Sequence, residues 1–213
     1  MAEENNIITL SLLMGLLFIT FSFVLYKRKA LLMLRALFST RYFQRLLHEG
    51  KLTNERIYFY PILLYIFAFP CLILVLFHFY IPEVLETYLP LKLYGITCGG
   101  IIAELLVSQF FLWFFTEIFN YQEQKHLYLT AKTLFRFYHA IFLICIIPIA
   151  WYAHIREMIF FVYTPFFVII LLAFFILFLR NINNTSRIHF FIYFCSLEIL
   201  PWLLLIKLLF SNV

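Results

Sequence analysis

The sequence predicts an all-α polytopic membrane protein, a bundle of six transmembrane helices. Three observations carry that prediction. The 213-residue chain is 65% hydrophobic with 29 Phe and only 13% charged, where a soluble domain carries about a quarter charged residues. Its apolar runs are continuous, without the apolar/polar alternation of a membrane β-barrel strand. Its basic residues segregate to alternate connections.

Six segments reach the roughly 20 apolar residues a bilayer helix needs. They cover about 7–26, 57–80, 91–119, 134–153, 158–179 and 188–210. The fourth can begin as early as Leu127, with its first turns outside the hydrocarbon. No linker or low-complexity tract interrupts the series, so the chain reads as one integral membrane domain over 1–213. The first run is expected to be a retained span. It follows Met1-Ala-Glu-Glu-Asn-Asn6 with no basic n-region, and Lys27-Arg28-Lys29 comes after it.

With the N-terminus outside, 13 of the 16 Lys and Arg residues fall on the cytoplasmic side. Only Lys92, Arg156 and Lys207 fall opposite. This is a positive-inside pattern, and it places both termini outside. The net charge of +5 is accounted for by membrane orientation, which leaves nucleic acid without a case as a partner.

The one sizeable extramembrane piece lies between the first two spans. Over 30–49, Arg41, Arg45 and His48 follow i, i+4, i+7 spacing and give one basic helical face, while Phe43, Leu46 and Leu47 point elsewhere. Leu34, Leu37 and Phe38 crowd the basic side. The pattern predicts an interfacial helix on the cytoplasmic leaflet, its arginines toward anionic lipid headgroups. A solvated connector and a docking surface for another subunit are the competing readings.

Polar residues inside the spans are the functional clue, because a charge at bilayer depth is costly and normally faces protein or water. Glu198 stands in the apolar run after Phe190, with Pro201 three residues on. Proline has no N–H, which frees a carbonyl beside Glu198. Glu104 lies about 13 residues from either end of the third span, at mid-depth. Gly100, Glu104 and Ser108 share a face at i, i+4, i+8, with Gln109 adjacent. On the fourth span Lys132, Arg136 and His139 form a basic stripe at i, i+4, i+7. Glu104, Ser108, Gln109, Arg136, His139 and Glu198 therefore define an expected intramembrane polar cluster. Arg136 has three expected destinations: water, Glu117, or the deeper carboxylates. The cluster reads as a proton or ion relay, as a polar site for a lipid headgroup, or as a polar clamp locking the bundle, with the clamp favoured.

Chemistry finds little support. Cys71, Cys98, Cys145 and Cys195 each fall in a different span without ligand spacing, and no metal site is expected. Six histidines raise the question of haem, but His139 and His154 fall on different faces, so no cofactor is expected. There is no His-Glu-x-x-His, no Gly-x-Ser-x-Gly, no Walker loop and no aspartate in the chain. The second and fifth spans carry no charged group in their cores and are expected to face lipid, with the third, fourth and sixth at the centre. The leading expectation is a non-enzymatic subunit or assembly partner of an envelope complex, in contact with other membrane proteins. A small proton- or ion-coupled transporter or channel using Glu104 and Glu198 is the alternative.

The C-terminal stretch Arg187-Ile-His-Phe-Phe-Ile-Tyr-Phe-Cys195-Ser-Leu-Glu198-Ile-Leu-Pro201-Trp-Leu-Leu-Leu-Ile-Lys207 resembles the closing signature of an uncharacterised family of small six-span membrane proteins of Bacteroidota, classed as a domain of unknown function. The basic segment after the first span and the chain's size share in the likeness. The resemblance implies a multi-pass protein of the bacterial inner membrane and brings no activity with it.

Overall fold

The computed structural model of the chain describes residues 2–48, 56–82, 85, 89–119, 122–153, 155 and 159–181. The sixth expected span, with Glu198, Pro201 and Cys195, lies outside the described residues. Within them the fold is all-helical, with seven α-helices in chain order. These are α1 Ala2–Leu25, α2 Lys27–Ala36, α3 Thr40–His48, α4 Phe59–Tyr80, α5 Pro90–Phe119, α6 Gln122–Tyr152 and α7 Thr164–Asn181. A 3-10 turn at Arg56–Tyr58 leads into α4, and a π-helical turn at Ile159–Tyr163 leads into α7.

Four helices contain stretches long and apolar enough to cross a membrane: Glu3–Leu25, Phe59–Tyr80, Pro90–Phe114 and Lys125–Tyr152. They coincide with the first four expected spans. The fourth does start early, as a single helix from Gln122. The π turn and α7 together occupy the fifth expected span and contribute a shorter apolar stretch, Phe161–Ile176.

Helix α1 packs through a stripe of Ile8, Ser11, Leu12, Gly15 and Ser22, at i, i+3, i+4, i+7 and i+14, which sets one face of a 3.6-residue helix against its neighbours. Small residues on that stripe allow close approach, which is how helices associate where lipid offers no hydrophobic contrast. Gly15 is the point of closest approach. A Cβ there would come within 2.7 Å of the Ile144 side chain on α6 and 3.7 Å of Leu64 on α4.

The centre of the bundle is α4 with α6, which pack along each other while α1 and α5 lie against α4. This corrects the expectation that the second span faces lipid. Leu64, Tyr65, Ala68, Pro70, Cys71, Leu72, Leu74 and Val75 of α4 are all buried. The third span, α5, expected at the centre, is instead the least buried of the four, with Leu106, Phe110, Trp113 and Phe114 exposed. The reason lies in what drives packing in a membrane. Apolar character does not distinguish a lipid-facing helix from a packed one, so the lack of a charge in the core of α4 carries no information about which neighbours it meets.

Ring pairs Phe135–Phe174 and Phe142–Phe166 set α7 antiparallel to α6. Helix α6 is thereby enclosed by α1, α4, α5, α7 and the α2–α3 pair.

Residues 30–49 do not form one helix. The chain breaks between Ala36 and Thr40, where the Ser39 carbonyl accepts the backbone N–H of Tyr42 at 3.1 Å and of Phe43 at 3.2 Å. Serine is a preferred helix N-cap residue, so a new helix starts there in place of the old one continuing. Helices α2 and α3 then fold on each other, and Phe43 and Leu46 join Met33 and Ala36 in the main core. Arg41, Arg45 and His48 stay exposed on the far side of α3, as the spacing implied. The apolar side of α3 is therefore covered by protein. Tyr138 on α6 fixes this pair: its hydroxyl donates to the Met33 carbonyl and accepts the Leu37 backbone N–H at 3.2 Å.

Candidate functional site: an ion cluster between α5 and α6

Helix periodicity brings the charged groups together. Glu104 and Ser108 are one turn apart on α5, and Lys132 and Arg136 are one turn apart on α6, so each helix presents two polar groups at matching height. Lys132 Nζ is 3.2 Å from Glu104 Oε1 and donates to Ser108 Oγ at 2.7 Å. The same ammonium lies 5.6 Å from the centroid of the Tyr128 ring, a cation–π contact. Arg136 Nη2 sits 3.4 Å from Glu104 Oε2 and 3.5 Å from Oε1, at the long end of hydrogen bonding.

Burial is uneven. The Arg136 side chain is 4% exposed and that of Lys132 9%, while the Glu104 side chain keeps 29%. The cations are sunk in the bundle and the carboxylate closes over them from the α5 side. In such surroundings an ion pair is worth far more when whole than when halved, since removing one partner leaves an uncompensated buried charge. Arg136 thus takes the deeper carboxylate among its expected destinations; Glu117, exposed at the end of α5, is not its partner.

Two expected members separate from the cluster. Gln109 points away from it and donates to the Tyr58 hydroxyl at 3.1 Å, tying α5 to the turn before α4. His139 lies one turn beyond Arg136 in a compartment of its own, 1% exposed and ringed by Tyr65, Phe69, Phe135, Tyr163 and Phe167. Its Nε2 is 2.9 Å from the Tyr163 hydroxyl, and Nδ1 has no hydrogen-bond partner among the described residues. Tyr163 closes the π-helical turn, so the irregular backbone there serves to aim its hydroxyl into the box. Glu198 lies outside the described residues.

Lys132 is the functional residue that the sequence reading left out of its cluster. Its signal is the stripe it forms with Arg136, although the expected span, 134–153, begins after it. Tyr163 had no such signal, because 14 Tyr and 29 Phe make any one aromatic contact unpredictable.

At the opposite end of the bundle a second polar group joins α1 to α6 and α4. Trp151 Nε1 donates to Asn5 Oδ1 at 2.6 Å, and the Thr9 and Tyr152 hydroxyls are 2.6 Å apart. Glu4 Oε2 lies 3.6 Å from His78 Nδ1, whose ring meets Trp151 edge-on at 4.7 Å. Further in, the Tyr94 hydroxyl accepts from Ser11 at 2.9 Å and reaches the Phe67 carbonyl at 3.4 Å, linking α5, α1 and α4.

Among the described residues no three His, Cys, Asp or Glu side chains converge as a metal site would require. The geometry can hold an anionic group against buried cations, and it can lock helices. A small apolar cleft, lined by Leu37, Phe43, Leu134, Tyr138 and Phe174 among others, sits where α2, α3, α6 and α7 meet.

These features define a polytopic α-helical membrane protein with an ion cluster built into its bundle. The chain belongs to the family described as Domain of unknown function (DUF4271), whose model matches residues 8–209. No curated protein and no solved structure matches the chain.

Proposed function

We propose that the protein is a non-enzymatic component of a bacterial inner membrane complex, a six-span bundle with both termini outside that assembles with other membrane proteins. Its intramembrane charges are read as a clamp that fixes the bundle.

The observation that carries this reading is the state of Glu104. It is engaged by both Lys132 and Arg136 and not left as a lone exchangeable carboxyl, which suits a locked helix pair better than a relay. The contact surface offered to a partner is α5. That helix holds Glu104 on its inner side and exposes Leu106, Phe110 and Trp113 outward, with open space around Gly95 and Gly99. Open glycines beside large apolar side chains permit close helix–helix approach. The exposed Arg41, Arg45 and His48 of α3 add a basic surface suited to anionic headgroups.

The test is native co-purification in mild detergent, with partners identified by mass spectrometry. A defined set of membrane proteins is expected in stoichiometric amounts. A chain that always elutes as a lone monomer overturns the proposal.

A proton- or ion-coupled transporter is the second reading, favoured by the 29% of the Glu104 side chain that stays exposed. Reconstitution into vesicles with a pH-sensitive dye distinguishes it. Flux abolished by Glu104→Gln supports transport, and absence of flux in the native protein excludes it.

A further inference from the structure

We infer that the gap Pro70 leaves in α4 is the seat of α5: Tyr94 and Cys98, one turn apart on α5, donate into that gap and fix which face of α5 points outward. The inference deepens the partner-surface reading and rests on it for the use of that outward face. The seat itself consists of contacts inside the bundle.

Proline removes a donor at a known place. In a regular helix the N–H of residue 70 donates to the carbonyl four residues back, at position 66. Pro70 lies inside α4 and has no N–H, so the Ile66 carbonyl lacks that donor. A carbonyl left so is costly at bilayer depth, where no water stands in, and side chains of neighbouring helices restore the bond.

Here the donors come from α5. The Cys98 thiol donates to the Ile66 carbonyl, with Sγ at 3.8 Å. The Tyr94 hydroxyl donates to the next carbonyl, that of Phe67, at 3.4 Å, and itself accepts from Ser11 of α1 at 2.9 Å. Cys71, the residue after Pro70, adds its own thiol to the Phe67 carbonyl at 3.4 Å. The bonds to the two carbonyls are long and a thiol is a weak donor, so their value lies in direction. Side chains from three helices converge on two successive carbonyls beside Pro70. Thr97, on the same turn of α5, behaves differently: its hydroxyl turns back to the Leu93 and Tyr94 carbonyls of its own helix, at 3.1 and 2.8 Å.

Orientation follows from the seat. Leu93 and Ile101 of α5 are buried on either side of it. Lipid tails are as apolar as leucine, so such contacts alone specify the rotation of α5 weakly. Hydrogen bonds to fixed carbonyls specify it closely. Gly95 follows Tyr94 and Gly99 follows Cys98, each about 100° further round the helix. With Tyr94 and Cys98 seated, both glycines fall on the exposed side, where an added Cβ meets nothing within 4 Å among the described residues. The ion cluster at Glu104 holds α5 further along, and the seat holds it at the glycine end.

The first measurement is infrared, on the full chain in lipid vesicles. The S–H stretch of Cys98 is isolated as the difference between the native protein and Cys98→Ala, and again in a Pro70→Ala background. In the native protein the band is expected at the lowered frequency of a hydrogen-bonded thiol. Pro70→Ala returns an N–H to the Ile66 carbonyl and is expected to move the band toward the free-thiol position. A free-thiol band in the native protein, or a band that Pro70→Ala leaves in place, overturns the inference.

The second measurement keeps Pro70. Cys98→Ala is expected to lower the melting temperature in detergent and to speed hydrogen exchange over residues 90–103. Cys98→Ser keeps a short donor and is expected to retain both native values. Equal losses from the two variants overturn the inference. The two readings fail separately. A seat that passes both measurements in a chain that always elutes as a lone monomer removes the partner and leaves the seat. Stoichiometric partners together with a free-thiol band at Cys98 remove the seat alone.

Discussion

The two ends of the bundle are fastened by different physics. Toward the start of α6, α5 and α6 are joined by ions: one carboxylate on α5 facing two cations on α6. At the far end, α1 is joined to α6 by neutral hydrogen bonds, Trp151 to Asn5 and Thr9 to Tyr152, beside the Glu4–His78 contact. The ionic fastening is strong only as a whole set, because each member is costly to bury alone. The neutral one is a sum of small, nearly independent contributions, each modest in a membrane because an unfolded helix in lipid also finds partners. Damage to the first should be abrupt, and damage to the second graded.

The largest effect is expected from Glu104→Ala, which removes the carboxylate that two buried cations share. A loss of about 3–5 kcal/mol is expected, from the measured cost of breaking buried pairs. It is read as a collapse of folded yield and of melting temperature in detergent. A loss under about 1 kcal/mol would remove the contrast between the two ends. Replacing the whole set, Glu104→Leu with Lys132→Met and Arg136→Leu, should cost much less than Glu104→Ala alone, since apolar substitutes of similar volume are often neutral.

Next comes Gly15→Leu. Gly15 is where α1 presses against Ile144 and Leu64, and a bulky side chain there forces the helices apart. Overpacking of this kind costs about 1–3 kcal/mol. Faster hydrogen exchange along α1, with α5 and α6 unchanged, is the expected signature; uniform exchange would mean the two ends unfold as one unit.

Smaller still is Trp151→Phe, which keeps the ring against His78 and deletes the N–H that Asn5 accepts. About 0.6 kcal/mol is expected, the average for a helix–helix hydrogen bond in a membrane. Combined with Thr9→Val the losses should add, unlike those of the ionic cluster. Last, Arg41→Ala and Arg45→Ala should leave the melting temperature unchanged while weakening vesicle binding to anionic lipid, because both side chains point away from the core. A drop in stability would mean that α3 depends on its basic face.

How much of this was written in the sequence depends on which property does the work. Spacing is local, so the Glu104–Ser108 face and the Lys132–Arg136 stripe were both legible, and helical geometry did the rest. Which helices meet was not legible. Helices α4 and α5 are both apolar, and which of them takes the centre depends on neighbours distant in sequence. The His139 compartment was hidden for a related reason: five aromatic rings from three helices and a π turn assemble it, and no sequence window contains them. The break at Ser39 carries a capping residue, but the apolar Leu34, Leu37 and Phe38 before it and the basic stripe after it read as one segment.

The α5–α6 ion cluster also bears on how the chain enters the bilayer. An unpaired Lys or Arg within a span is costly to insert, most of all at its centre, so α6 carrying both Lys132 and Arg136 is a reluctant span by itself. Helix α5 precedes it by a connection of two residues and carries the neutralising carboxylate at the matching height. Entry of α5 and α6 together, with Glu104 as the counter-charge, is therefore expected to cost less than entry of α6 alone.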